Sequence, residues 1–84
     1  MSGTLGLSTP WARDAFAARR AELEALIPDG MTIGVTGHAH AGGRVFRFWV
    51  VDEGGDWSNV IERRGVRPVA AEWAIALLVK EATA

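Results

Sequence analysis

Apolar residues recur at helical spacing from Ala12 to Ile27, alternate with polar or small residues from Met31 onward, and become almost continuous from Val69 to Val79. The first pattern puts Ala12, Phe16, Leu23, Leu26 and Ile27 on one side of an amphipathic helix. Thr9 reads as its N-cap and Pro10 as its first residue. Pro28-Asp29-Gly30 ends it and turns the chain. Arg19 falls inside the apolar stripe, where an arginine lays its stem over the core and carries its head to water. The alternative is a carboxylate within its reach.

The middle of the chain is organised by two glycine pairs, Gly42-Gly43 and Gly54-Gly55. Gly-Gly supplies the positive φ angles that two-residue hairpin turns require, so both ends of the β-prone run Arg44 to Asp52 read as reversals. A turn at Gly42-Gly43 pairs Ala39 with Phe46, Gly37 with Phe48 and Val35 with Val50. Met31, Ile33, Val35, Phe46, Phe48 and Val50 then share one side, the alternation of a half-buried sheet. A turn at Gly54-Gly55 pairs Arg47 with Glu62, Phe48 with Ile61 and Trp49 with Val60. A rival reading makes residues 57–64 a short helix with Gly65 just past its end, since Trp57, Val60, Ile61 and Arg64 also recur at helical spacing.

Pro68 takes the first position of a last helix whose only charge between Val69 and Val79 is Glu72. A helix so apolar is either central to the core or packed on another chain. The expectation is an α+β fold, α-β-β-β-α, with a three-stranded antiparallel meander and both helices on its aromatic face; the alternative order is α-β-β-α-α. Residues 1–84 form a single small domain, and residues 1–7 a flexible N-terminal arm.

Composition narrows the function. Eighty-four residues, 49% hydrophobic and 23% charged, are ordinary for a folded domain rather than a disordered one. The absence of cysteine excludes disulfides, thiolate catalysis and cysteine-bound zinc. A net charge of −1 gives no global field toward nucleic acid or an acidic membrane. Met1 to Thr9 lacks the basic segment and apolar core of a secretory signal, and the run Trp73 to Val79 is far short of a membrane span. A cytoplasmic protein with no membrane partner is expected.

Candidate chemistry is sparse. His38 and His40 share one side of a strand, but a zinc site wants a third ligand that nothing nearby supplies. Gly-His-Ala-His-Ala-Gly-Gly lacks the lysine and following helix of a phosphate loop. Ser2, Ser8 and Ser58 have no setting that suggests a nucleophile. Asp52, Glu53 and Asp56 read as solvated turn residues. Neither enzyme activity, nor a metal, nor a cofactor is expected.

The outward sheet face is richer, since Trp49 stands there among Arg47, Arg64 and His38, and Trp and Arg dominate interface hot spots. These four form the expected partner-binding face, while Trp11, Trp57 and Trp73 read as structural. Arg44, Arg63 and Arg67 gather at one end of the sheet, beside the positive end of the last helix, as an anion- or acidic-surface-binding group.

Helix, three strands, helix resembles the order of double-stranded RNA-binding domains. Gly37-His38-Ala39-His40 falls where that family carries its first hairpin loop, and Ala70-Ala71 through Leu77-Leu78 is similar to its Ala-rich last helix. Val66-Arg67-Pro68-Val69 stands where the family has a phosphate-binding lysine cluster. The resemblance implies nucleic acid as an alternative partner, held by the basic end. The leading expectation is a non-enzymatic protein-binding module: an adaptor, accessory subunit or inhibitor. The sequence also allows a homodimer through the C-terminal helix.

Overall fold

Thr9 opens the first helix as expected. Its Oγ1 accepts from the Ala12 N–H at 3.4 Å, and Pro10 is the first helical residue. In the computed structural model, which describes residues 2–41, 43–51 and 62–83, this helix runs Pro10–Phe16 (α1). The side chains of His40 and of residues 62–66 lie outside that description. The helix predicted as continuous is interrupted by a 3₁₀ turn, Ala17–Arg19, and resumes as Arg20–Glu24 (α2). Ala12, Phe16, Leu23 and Ile27 are buried. Leu26 is not: it lies past the end of α2 and is 41% exposed.

The largest departure from expectation comes before α1. Residues 4–7, expected in a loose arm, form a strand, Thr4–Leu7 (β1), which pairs in parallel with Thr32–His40 (β2). A parallel pair needs a long crossover, and α1, α2 and their turns supply it. Leu5 and Leu7 alternate with Thr4 and Gly6, so the strand drives two leucines into the core and leaves small residues on the far side. The segment before it is docked too, because the Gly3 N–H donates to the Ile27 carbonyl at 2.7 Å.

Side chains fill β1's outer edge. Register places the Thr4 and Ser8 N–H groups toward β2, so the Leu5 N–H and Leu7 C=O point away from the sheet. Glu24 Oε2 accepts from Leu5 at 2.7 Å, and Arg13 Nη1 donates to Leu7 at 3.4 Å. Arg20 steadies the Glu24 carboxylate at 3.5 Å, the pairing its spacing predicts. An edge occupied in this way is a poor template for a further strand.

The antiparallel meander is present as β2, Gly43–Val51 (β3) and Glu62–Val66 (β4), completing a four-stranded sheet in the order β1-β2-β3-β4. The first hairpin closes one residue earlier than expected, at His40–Gly43. Gly37 therefore faces Phe46, and Val35 faces Phe48. Gly43 takes φ +125°, a value that favours glycine. Pairing moves by two positions, so every side chain keeps its expected face.

β4 pairs Trp49 with Glu62 and Phe48 with Arg63, again two positions from expectation. A bulge sets two residues of β4, 64 and 65, opposite Arg47. Helix is thereby ruled out for residues 62–64. The Gly54-Gly55 turn, Trp57 and residues 57–61 lie outside the described residues.

A 3₁₀ turn, Pro68–Ala70, leads into Ala71–Thr83 (α3). Both helical segments cover one face of the sheet. Phe16 meets Phe46 and Phe48 edge-on, at 4.9 and 5.8 Å between ring centres, and Ala71, Ala74, Ile75 and Leu78 complete the core. Arg19 reaches carboxylates rather than only water. It binds Glu72 and the Pro68 carbonyl at the start of α3, and Glu22 at 3.6 Å on its own segment. The expected order of helix, three-stranded meander and helix is thus present, and parallel β1 is an addition to it.

Candidate functional site

Among the described residues, three surfaces carry side chains that could act. The first is the sheet face opposite the helices, where Gly34, Thr36 and His38 of β2 pair with Trp49, Arg47 and Val45 of β3. Trp49 is on that face, as the alternation requires, but it is only 4% exposed. Its indole lies against Gly34, whose missing side chain makes the space: a Cβ there would stand 2.5 Å from Trp49 Cζ2. Trp49 is therefore packed into the sheet and presents almost nothing to a partner.

Arg47 beside it is half-buried. His38 is exposed, with a ring nitrogen 2.8 Å from Thr36 Oγ1. Arg64's side chain is outside the description. The structure thus brings Trp49, Arg47 and His38 together on one face, but without an exposed aromatic anchor among the described residues.

The second surface is the basic end, where β1, β2 and β4 finish and β3 begins. Arg44 stacks on Trp11, 4.6 Å from the ring centre, as a cation–π pair. Thr9, Pro10, Trp11 and Gly37 line a shallow groove of about 320 Å³ next to it. Thr9 Oγ1 also accepts from the Gly37 N–H at 2.8 Å, locking the start of α1 onto β2. Arg67 is exposed just before α3, and Arg63's side chain lies outside the description. Arg44 is thus engaged with an aromatic ring of its own chain.

The third surface lies on the last helix, where the apolar run from Val69 to Val79 allows packing on another chain without showing which residues face outward. Ala71, Ala74, Ile75 and Leu78 face the core, so Val69, Glu72, Trp73, Ala76, Lys80 and Thr83 fall on the outer side of the helical segment. Val69 is 88% exposed and Trp73 is 61% exposed. Trp73, read as structural, is the tryptophan most open to solvent among the described residues. The signal was available: Glu72 and Lys80 lie one turn either side of Ala76 and mark the outward direction, yet the apolar run around them obscures it.

Among the described residues no three His, Asp or Glu come together to hold a metal, and no helix is long and apolar enough to cross a membrane. Compared with known protein families, curated proteins and solved structures, the chain matches none.

Proposed function

We propose that this protein is a non-enzymatic binding module, an adaptor, accessory subunit or inhibitor, that docks on protein through the outer stripe of α3. One observation carries this reading: a tryptophan 61% exposed stands one turn from a valine 88% exposed. Large apolar side chains side by side in water mark interaction surfaces, and tryptophan is the residue type most enriched among binding hot spots. Arg19 clamps Glu72 and the Pro68 carbonyl, so the stripe is presented on an anchored helix rather than a loose one. Little ordering is then needed on binding. Arg67, exposed at the leading end of the same helix, would steer acidic surfaces toward it. Trp49 belongs to the packing of the sheet, and the contact role expected of it passes to Trp73.

A photoreactive residue placed at Ala76 of the full chain in living cells tests the proposal. The expected result is a discrete protein adduct that is lost with Trp73→Glu. The proposal fails if illumination gives no adduct from position 76 while the chain remains folded.

A further inference from the structure

We infer that the occupant of the α3 stripe is a second copy of this chain, lying antiparallel across it with the two helices crossing at Ala76. The inference rests on the docking role proposed for α3 and adds its partner. Trp73, Ala76, Lys80 and Thr83 of α3 are spaced by three, four and three residues, the alternation that keeps a stripe facing a partner helix, and Val69 precedes them in the 3₁₀ turn.

The stripe is also self-complementary. Glu72 and Lys80 stand four residues either side of Ala76, so a two-fold axis through Ala76 sets Glu72 of each copy opposite Lys80 of the other. A two-fold interface requires this relation, in which residue i meets j and j meets i. A parallel pairing would instead oppose Glu72 to Glu72.

Ala76, exposed and small, lets the helices approach at the crossing, and Trp73 then lies against the partner helix near Val79 and the stem of Lys80. Arg19 binds Glu72 through Oε1, and Lys80 makes no ion pair among the described residues. The 13 residues of α3 extend about 20 Å, so the contact is smaller than a standard stable interface and the pairing is weak and concentration-dependent.

Charge exchange tests the register. Sedimentation equilibrium of the native chain should show the average mass rising toward two protomers with concentration. Glu72→Lys alone and Lys80→Glu alone should each weaken association by about tenfold or more, because like charges then face each other. Mixing the two variants should restore it, since every cross-helix pair is again of opposite sign. A native chain that stays monomeric at all concentrations overturns the inference, as does a mixture no more associated than its components. Adducts at position 76 to a different protein, with a monomeric native chain, overturn self-pairing and leave the docking role standing. No adduct of any kind removes both.

Discussion

Gly34→Ala is the most informative single change, because it asks whether Trp49 is truly packed against the backbone of β2. The added Cβ would stand 2.5 Å from Trp49 Cζ2, 2.7 Å from Nε1 and closer still to Cε2, nearer than side-chain carbons approach. Backbone strain does not enter, since Gly34 is outside the positive-φ region. The ring must swing away. Returning about half of a tryptophan's roughly 200 Å² to water costs about 2.5 kcal/mol at about 25 cal/mol per Å². Alanine recovers about 0.5–1 kcal/mol over glycine in a strand. The net loss is about 2 kcal/mol, which lowers Tm by roughly 8–16 °C in a domain of this size. Gly6→Ala is the matched control: Gly6 is the cross-strand partner of Gly34, and a Cβ there meets nothing nearer than 3.8 Å. Calorimetry and iodide quenching of tryptophan emission read both consequences. If Gly34→Ala melts within about 2 °C of the native chain with no added quenching, a span well under the shift expected, the packing account of Trp49 is wrong.

Three further changes probe what holds the fold together. Thr9→Val removes the acceptor shared by the Ala12 and Gly37 N–H groups, and urea titration should show a loss of about 1–2 kcal/mol with an unchanged slope. Glu24→Ala leaves the Leu5 N–H without its acceptor on the outer edge of the sheet. It should cost about 1–2 kcal/mol and raise light scattering with concentration as that edge opens. Arg19→Met combined with Glu72→Gln in a double-mutant cycle should yield a coupling of about 0.5–1 kcal/mol that shrinks in salt, because both groups are partly solvated.

Local signals made most of this architecture legible. Thr9 with Pro10 and Pro68 mark helical starts through their own backbone chemistry, Pro28-Asp29-Gly30 marks the turn after α2 although the helix itself ends earlier, at Glu24, and alternation around Phe46 and Phe48 places the core face. The strand β1 was hidden because its partner lies more than twenty residues away, and its only signature is Leu5 and Leu7 among small residues. Register was readable to its face but not to its position, since a two-place shift leaves every side chain pointing the same way. Trp49 and Trp73 were exchanged for one reason. Periodicity says which side a residue is on, whereas exposure depends on what else packs there. Gly34 provides the seat for Trp49, and α3 turns Ala71, Ala74, Ile75 and Leu78 inward, leaving Trp73 in water.

The claim that two copies of the chain pair through α3 is tested most directly by the ¹H–¹⁵N spectrum of the uniformly labelled chain across a dilution series. The Trp73 indole and the amides of Val69, Ala76 and Lys80 should move with concentration, while the indoles of Trp11 and Trp49 hold still. A spectrum that is invariant on dilution, or one whose changes centre on Trp49, Arg47 and His38, would contradict it.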